Sequence, residues 1–509
     1  MESNFNYRDF EVKDCVLKNE YEVAAEAEFS LADYCPPIKR VLCYNISPAI
    51  SSKNVTGNMI NFDGVACLRV IYLDEEDNIC SYENSFVFSK NIESEDDVKG
   101  CKIKCAVSSE KVALRALSER KIEIRGNFTL FVTVERACKK RYLCCDSLRD
   151  CEVKTRKIPV KERVVFAEKS IIIEDDIELS DSHAEIDKIL NCKGKICPDS
   201  SKIMNGKVMV KGSLEVCVTY LSNEGVRSCN IKEKIPYSQV IDLEGVDDGY
   251  TVKTEEQLVF LEVKCRKGGY EDRRTLVVNA KICVGAEASL NREETVILDM
   301  YSTACDLQTE YDRIRTKRLI DRVNESFQVK KSLEFSEGTV GAVLELNGDV
   351  KTNGIKINED SVVVYGTAYI RILLMDQSEM PQYSERTVDF EYKYPLSISL
   401  PNSFAEANIG LSNLNYIISS DCTLELMCEL SVSLSLFEND EVALISSATR
   451  MDREKSDDGC AVYVCFADKE CDIWDLAKKY KSNVKEICSV NRIEGNTDKI
   501  SGVLVIPAK

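Results

Sequence analysis

A glycine followed by strictly alternating side chains occurs three times in this chain, at residues 64–73, 212–221 and 366–375. One face of each copy is apolar, and these faces consist of Ala66, Leu68, Val70 and Tyr72; Leu214, Val216, Val218 and Tyr220; and Ala368, Ile370, Ile372 and Leu374. A period of two predicts a β-strand with one buried side. Consecutive copies begin about 150 residues apart, which is the size of a domain. The repeating unit is therefore a whole domain.

Two further segments recur with the same spacing. Residues 31–42 match residues 179–190, and the third copy continues the pattern at Leu333, Val340 and Leu344. The end of this segment predicts either a short helical turn or the start of a strand. Alternating residues also return at 122–134, 276–284 and 424–436, with a small residue at one shared position, namely Gly126, Ala280 and Cys428. We expect that small residue to let a neighbouring strand approach closely.

The strand repeats predict a mainly β chain, because many short strands at hairpin spacing are typical of antiparallel sandwiches and barrels. Turn-rich segments at 74–78, 222–225 and 376–379 separate these strands. We expect three tandem antiparallel β-sandwich or barrel-like repeats, followed by a small α+β domain of βααβ order. The predicted limits are 1–155, 156–309 and 310–449 for the repeats, 450–459 for a charged linker and 460–509 for the last domain. Residues 306–324 are predicted to form a helical linker between the second and third repeats.

The pattern changes from strand to helix in the last domain. Asp472 can cap a helix over residues 473–480, and Ser482 can cap a second helix over residues 483–490, because both positions precede apolar residues at helical spacing. Strands are predicted on either side of the helices, at 462–467 and 503–506.

The formal net charge of -19 argues against nucleic acids and anionic membranes as partners, because both need a cationic surface. No apolar stretch approaches the roughly 18 residues that a membrane helix needs, so membrane insertion is not expected. Residues 1–5 lack a basic segment followed by an apolar core. We therefore expect a protein of the cytoplasm.

The 24 cysteines differ from copy to copy. Cys67, for example, corresponds to Glu215 and Tyr369. Cysteines that built a shared bridge or metal site should recur in each copy, and no Cys-x-x-Cys pair occurs in the sequence. Buried thiols that act as small apolar side chains and later oxidative cross-linking in an assembly both stay open. No metal site and no cofactor are predicted.

The sequence offers little for catalysis. Its single histidine, His183, stands where the other copies have Cys35 and Glu337, which favours a surface loop over a hydrolase site. Acidic runs at 93–97 and 174–176 are typical of solvated loops, and nothing in the sequence supplies an apolar cleft for a glycosidase pair. No phosphate-binding Gly-x-x-x-x-Gly-Lys-Ser/Thr motif occurs. We expect a protein that is not an enzyme and has no catalytic residues.

Residues 460–509 resemble a LysM domain. The resemblance rests on the run Cys471-Asp472-Ile473-Trp474-Asp475-Leu476-Ala477-Lys478-Lys479-Tyr480, on Val484, Ile487 and Asn491, and on the closing Gly502-Val503-Leu504-Val505-Ile506-Pro507. It implies a groove for N-acetylglucosamine polymers such as peptidoglycan, between the loop before the first helix and the loop after the second. The groove residues would be Glu470, Cys471, Asp472 and Ile473, facing Asn491, Arg492, Ile493 and Glu494. The Gly-Asp that is usual in the first loop is replaced by Glu470-Cys471.

The upstream repeats resemble the SPOCS module through the segment Asp33-Tyr34-Cys35-Pro36-Pro37-Ile38-Lys39-Arg40-Val41-Leu42. SPOCS repeats followed by a LysM domain are similar to the SipL-like family of spore coat morphogenetic proteins. That resemblance implies a non-enzymatic adaptor or scaffold, made in the mother cell and located at the forespore surface. Its implied partners are the coat basement-layer ATPase and other coat proteins, with the LysM domain as a protein-binding module. A peptidoglycan-binding protein of the cell wall or cortex is the alternative, and self-association stays open.

The last domain also supplies the candidate partner-binding residues Val464, Phe466, Ile473, Trp474, Val503 and Val505. If Cys465 and Ala467 pack against the helices, the alternating side chains of both strands place four apolar residues on the opposite face. Outward apolar side chains of this kind commonly mark protein interfaces. The alternative is that this face packs on the third repeat.

Overall fold

Three repeats that share six strands in the same order make up most of the structure, and the first repeat has one additional short strand at Ala27–Ser30. The computed structural model describes residues 5–145, 148, 150–222, 228–266, 273–396, 403–452, 461–493 and 499–507. It confirms that the chain is mainly β and built from antiparallel sheets. The division of the chain at the predicted domain limits stays a prediction.

The strands of the repeats and the elements that follow them have these bounds. The first repeat contains β1 (Tyr7–Ala24), β2 (Ala27–Ser30), β3 (Arg40–Thr56), β4 (Met59–Leu73), β5 (Ile79–Glu93), β6 (Lys102–Ser118) and β7 (Lys121–Leu143). The second contains β8 (Cys151–Glu178), β9 (Ile186–Met204), β10 (Lys207–Ser222), β11 (Ser228–Asp242), β12 (Thr251–Cys265) and β13 (Thr275–Ser302). The third contains β14 (Asp306–Glu334), β15 (Ala342–Ile357), β16 (Ser361–Met375), β17 (Pro381–Pro395), β18 (Ser403–Ser420) and β19 (Thr423–Met451). The C-terminal unit, which we define as residues 461–493 and 499–507, contains β20 (Val462–Asp472), α1 (Ile473–Lys479), α2 (Val484–Val490) and β21 (Lys499–Pro507).

Each repeat folds into two sheets that enclose a common core. One sheet is a meander, which is β3-β4-β5, β9-β10-β11 or β15-β16-β17. The other joins the first strand of the repeat to its last two, in the orders β1-β7-β6, β8-β13-β12 and β14-β19-β18. Glu11 of β1 also pairs with Lys161 of β8, and β2 adds to β7, so that these strands of the first two repeats form one seven-stranded sheet. Because side chains alternate along each strand, one face of each sheet is apolar and packs inward. The three cores draw their buried residues from 23–134, 173–288 and 333–436.

The glycine of the repeated strand lies in the central strand of each meander, opposite an aromatic residue. The pairs are Gly64 with Phe88, Gly212 with Tyr237 and Gly366 with Phe390. A Cβ atom placed on Gly366 would lie 2.5 Å from Cζ of Phe390, and the other two glycines are covered by their aromatic partners in the same way. The glycine recurs because the ring of the neighbouring strand occupies the space of its side chain.

The other repeated segments also have structural roles. Residues 31–42 and 179–190 lead into β3 and β9, so they end as the start of a strand and not as a helical turn. A Cβ atom on Gly126 would lie 2.8 Å from Cα of Val112 in β6, which confirms the close approach of a neighbouring strand there. The shared small residue of each repeat lies next to a β-bulge in that neighbouring strand.

A buried tyrosine fixes the loop before the meander in two of the repeats. The hydroxyl of Tyr72 donates a hydrogen bond of 3.0 Å to the carbonyl of Pro36, and that of Tyr220 donates one of 2.8 Å to the carbonyl of Ala184. Leu374 takes this place in the third repeat and is buried. The two hydrogen bonds hold equivalent loops against equivalent strands.

The predicted turns are present where the structure describes them. The carboxylate of Asp74 accepts backbone N–H groups within residues 74–78, and that of Asp376 does the same within residues 376–380. These hydrogen bonds lower the pKa of both aspartates; at Asp74 they outweigh burial, which acts to raise it. Residues 223–225 of the middle turn, and residues 453–459 of the predicted linker, lie outside the described residues.

The prediction of a helical linker at residues 306–324 is wrong. These residues form the first part of β14, which pairs with β19 along its length. Ile314 lies opposite Val442, and Val323 lies opposite Leu434. The charged residues around these apolar positions are compatible with a helix in isolation, but pairing with the long strand β19 overrides that local preference.

The three repeats contact one another through apolar clusters. One cluster unites residues from all three, namely Phe10, Tyr142, Ile158, Val160, Val296, Ile314, Val442 and Leu444. Lys13 and Lys102 of the first repeat bind Glu287 of the second at 2.5 and 3.1 Å. Burial alone would raise the pKa of Glu287, but the two lysines outweigh it and lower the pKa to about 2. The first two repeats are therefore joined by a buried ion-pair cluster as well as by apolar packing.

The cysteines within the described residues all have free thiols. Several lie in apolar surroundings, and burial raises the pKa of Cys43 to about 12 and that of Cys428 to about 11. Thiols of this kind resist deprotonation and behave as small apolar side chains.

Candidate functional site

The C-terminal unit has the predicted order of strand, helix, helix and strand. Asp472 caps α1 by accepting the backbone N–H of Trp474 at 2.8 Å. The prediction that Ser482 caps α2 is wrong, because Asn483 is the cap and accepts the N–H groups of Lys485 and Glu486. Ser482 is buried and donates its hydroxyl to the carbonyl of Pro507 at 2.7 Å. It ties the loop between the helices to the last strand.

The core of this unit forms between the helices and the two-stranded sheet. Its buried residues are Ile473, Leu476, Ala477, Ile487, Leu504 and Ile506, together with Tyr301 from β13 of the second repeat. Ile473 is therefore a core residue, with 4% of its surface exposed, and it is not available to a partner. The second repeat supplies a side chain that the unit needs to complete its own core.

The opposite side of the sheet is apolar and open. Antiparallel pairing sets Val464 against Val505 and Phe466 against Val503. Val464, Phe466 and Val503 are 70%, 67% and 64% exposed, and Val462 is 49% exposed. Val505 is half-buried, and its backbone N–H donates to the side-chain oxygen of Asn491 at 2.8 Å. We call Val462, Val464, Phe466 and Val503 the outer sheet face; their exposure shows that it does not pack on the third repeat.

The helix side of the unit packs on the second repeat instead. The indole Nε1–H of Trp474 donates to Oδ2 of Asp299 at 2.7 Å, and Nζ of Lys478 donates to both carboxylate oxygens at 2.6 and 2.8 Å. The ring of Tyr301 meets the ring of Trp474 edge to face, with centroids 5.1 Å apart. The hydroxyl of Tyr301 donates to the buried carbonyl of Ser482 at 2.6 Å. Trp474 is thus a residue of an internal interface.

Polar pairs surround this contact. Lys481 binds Asp306 at 2.7 Å, Lys154 lies 3.6 Å from Asp472, and the amide of Asn483 donates to Glu152. Burial acts to raise the pKa of Asp299, but the hydrogen bonds from Lys478 and Trp474 outweigh it and hold the pKa below its usual value. Asp299 is therefore ionised at neutral pH and acts as the central acceptor of the interface.

The candidate glycan-groove residues are distributed as follows. The side chains of Glu470 and Glu494 lie outside the described residues. Cys471 and Ile493 pack against the core of the unit, and Arg492 is exposed in the left-handed region at φ 53°. The side-chain amide of Asn491 donates to the carbonyls of Ile487 and Val505 at 2.8 and 2.6 Å. The polar groups of Asp472 and Asn491 are therefore engaged in internal hydrogen bonds.

Neither Asp299 nor Tyr301 is predicted from the sequence as a site residue. Both lie on β13, whose alternating pattern identifies it as a strand but says nothing about a second contact. The partner of Asp299, Trp474, is 175 residues away in the chain. A β-bulge between Ile297 and Asp299 turns the strand here, and the sequence does not reveal it.

The structure also describes the single histidine and bears on metal binding and membrane-spanning helices. The imidazole Nδ1 of His183 lies 2.8 Å from the hydroxyl of Ser180 in an exposed turn. Among the described residues, no group of three or more His, Cys, Asp or Glu side chains is arranged to hold a metal ion. No helix in the described ranges is long and apolar enough to span a membrane.

A cavity of about 1410 Å³ opens where the three repeats meet. Cationic side chains from each repeat line it, among them Arg69, Lys193 and Arg371. Each has an internal partner, because Arg69 binds Glu83, Arg371 binds Asp349 and Lys193 donates to the carbonyl of Gly348 at 3.2 Å. The bond from Lys193 to Gly348 joins the second and third repeats, whereas the other two contacts lie within a single repeat.

Comparison with known families supports the repeat structure. Residues 37–117 and 185–266 match the family model described as SipL, SPOCS domain. The first match contains β3, β4, β5 and almost all of β6, and the second contains β9 to β12. No curated protein and no solved structure matches the chain.

Proposed function

We propose that this chain, which carries two SPOCS domains and is SipL-like in these segments, is a non-enzymatic adaptor in endospore coat assembly. The domain match supports a role related to sporulation and the spore coat. The finer proposal is that the C-terminal unit, together with the β repeats, docks onto the coat basement-layer ATPase at the forespore surface. The repeats then form a multivalent platform for other coat proteins, because several weak contacts on one chain raise avidity.

The observation that carries this proposal is the contrast between the two sides of the C-terminal unit. Its helix side is packed on β13 through Trp474, Lys478 and Asp299, whereas Val464 and Phe466 on the outer sheet face are two-thirds exposed. Apolar side chains clustered on one exposed face are typical of protein interfaces, and an exposed aromatic residue can serve as an anchor. The internal contact fixes the orientation of the unit and leaves this face to a partner.

The geometry gives less support to glycan binding as the main activity. In the groove implied by the LysM resemblance, Asp472 caps α1 and lies near Lys154, and Asn491 bridges α2 and β21. These internal contacts reduce the number of polar groups that both side chains could offer to a sugar. The experiment below therefore also measures binding to peptidoglycan.

The test uses the full-length chain, because Tyr301 of the second repeat belongs to the core of the C-terminal unit. Wild type and Phe466→Arg are compared for binding to the purified coat ATPase and, in parallel, to peptidoglycan sacculi. We expect Phe466→Arg to weaken ATPase binding roughly 30-fold, since a central aromatic anchor contributes about 2 kcal/mol or more. Ile172→Arg is the matched control, because Ile172 is 69% exposed on a different repeat.

Binding to the ATPase that falls with Phe466→Arg and persists with Ile172→Arg supports the proposal. Retention by peptidoglycan alone, with no binding to the ATPase, overturns it. Equal loss in both variants also overturns it, because the effect would then not depend on the outer sheet face.

A further inference from the structure

Two thiols from different repeats line the cavity where the three repeats meet. Cys67 lies on β4 of the first repeat, and Cys192 lies on β9 of the second. Arg69 connects them, because it follows Cys67 by two residues and so extends from the same face of β4. Its guanidinium donates to Sγ of Cys192 at 3.1 Å and to Oδ1 of the adjacent Asn191 at 3.5 Å. The face of β4 that carries Cys67 therefore lies against the part of β9 that carries Cys192.

The electrostatic interaction between the two thiols agrees with this contact. Burial is the largest cause that raises the pKa of Cys67, and the charge of Cys192 is the next. The interaction of two charges weakens with their separation, so an effect of this rank indicates neighbouring sulfur atoms. Both side chains are partly buried, and both thiols are free. The pair is thus placed for a reaction between its two members.

The two thiols differ in their surroundings, which gives them different roles. The thiolate is the nucleophilic form of cysteine, and a neighbouring guanidinium supports its charge. Arg69 holds this position at Cys192. Cys67, whose pKa is raised chiefly by burial, is better suited to react second, with a sulfur that has already been oxidised. The cavity volume of about 1410 Å³ admits a small oxidant such as hydrogen peroxide.

We propose that Cys67 and Cys192 are a redox-active thiol pair, which hydrogen peroxide converts into a disulfide bond between the first and second repeats. The thiolate of Cys192 attacks one oxygen of the peroxide, the O–O bond breaks, and the hydroxide that leaves takes up a proton to form water. The sulfur of Cys67 then attacks the sulfenic acid on Cys192, the S–O bond breaks, and a second water leaves with the thiol proton of Cys67. Two thiols are oxidised while one peroxide is reduced to two waters.

The bond changes the connection between the first two repeats from noncovalent to covalent. In the reduced chain these repeats are already held together by apolar packing and by Lys13 and Lys102 on Glu287, so the bond is not needed for the fold. It closes a long segment of the chain, from β4 to β9, and a cross-link of that kind restricts the unfolded state. Oxidation should therefore stabilise the first two repeats. This site does not depend on the proposed binding of the outer sheet face to a coat protein.

Peptide mass spectrometry of the full-length chain tests the proposal. The reduced chain is treated with hydrogen peroxide and digested without reductant, and we expect a cross-linked peptide pair that contains Cys67 and Cys192 and separates when a thiol reductant is added. The oxidised chain should also unfold at a higher urea concentration than the reduced chain. Cys43→Ser is the matched control: Cys43 lines the same cavity, but burial raises its pKa to about 12, so its loss should leave the bond intact.

Dimedone, which labels sulfenic acids, tests the order of the two steps. Cys67→Ser should trap a labelled sulfenic acid on Cys192, and adding Arg69→Gln to that variant should slow the labelling roughly tenfold, because the thiolate loses its neighbouring cation. Circular dichroism of each variant establishes that it is folded. A wild-type chain in which Cys67 and Cys192 stay reduced, or pair with other cysteines, overturns the proposal. Equal labelling of Cys67 in Cys192→Ser, or loss of the bond in Cys43→Ser, overturns it as well.

Discussion

Replacing Asp299 with alanine should release the C-terminal unit from the second repeat. The carboxylate of Asp299 accepts the indole N–H of Trp474 and the ammonium group of Lys478. Its loss leaves the half-buried indole N–H without an acceptor, which costs about 1–3 kcal/mol. The pair with Lys478 is partly exposed and adds up to about 1 kcal/mol. We expect the docking to weaken by about 2–3 kcal/mol, so that the undocked fraction rises roughly 30- to 150-fold.

Tryptophan fluorescence is a direct assay for this change, because Trp474 is the single tryptophan of the chain. In the docked state its ring lies against Tyr301. Undocking should shift the emission of Trp474 to longer wavelength and increase its quenching by acrylamide. Asp306→Asn is the matched control: its pair with Lys481 lies at the exposed rim of the same contact and should change the emission little.

The same interface should respond to acid. The pKa of Asp299 is held below its usual value of 3.8, because the hydrogen bonds of Lys478 and Trp474 outweigh burial. A depressed pKa in the docked state means that the stabilisation is complete above the usual pKa and is lost as the pH falls through the lowered one. Wild-type emission should therefore shift in acid toward that of Asp299→Ala. Identical emission and quenching in wild type and Asp299→Ala at neutral pH would show that Asp299 does not hold the C-terminal unit on the second repeat.

Three further predictions concern the repeats, and each is measured as a change in unfolding by urea. Tyr72→Phe removes the hydrogen bond to Pro36 and should destabilise the first repeat by about 1 kcal/mol; an unchanged midpoint would show that this bond contributes nothing. Gly366→Ala places a methyl group against the carbonyl oxygen of Lys351 and the ring of Phe390 and should cost about 1–3 kcal/mol; an unchanged midpoint would contradict this. Glu287, with a pKa lowered to about 2, should contribute up to about 3 kcal/mol above its usual pKa of 4.5, and lose it as the pH falls toward 2. Glu287→Gln should abolish that part of the acid dependence, and an acid response equal to wild type would contradict the assignment.

The presence of three repeats and the position of a central strand in each could be predicted from the sequence, because both depend on local periodicity. The alternation after Gly64, Gly212 and Gly366 is visible in any window of ten residues, and it identified the central strand of each meander. The helices of the C-terminal unit were also found, within a residue or two of their ends, because apolar spacing and capping residues are local features.

The contacts between distant parts of the chain could not be predicted. Residues 306–324 carry apolar side chains among charges, and the strand β19 that makes them a strand lies more than a hundred residues later. Trp474 was predicted to bind a partner protein, yet its indole N–H donates a hydrogen bond to Asp299 of the second repeat. The exposure of Val464 and Phe466 followed from alternation, whereas the side of the unit that meets the repeats became visible only in three dimensions.

We infer that the C-terminal unit is held by its helix side and receives its partner on the outer sheet face. Amide hydrogen exchange of the full-length chain, measured with and without the coat ATPase, tests it most directly. We expect α1 to be protected already in the free chain and the ATPase to add protection to β20 and β21. New protection confined to α1 and α2 on addition of the ATPase, with β20 and β21 unchanged, would contradict it.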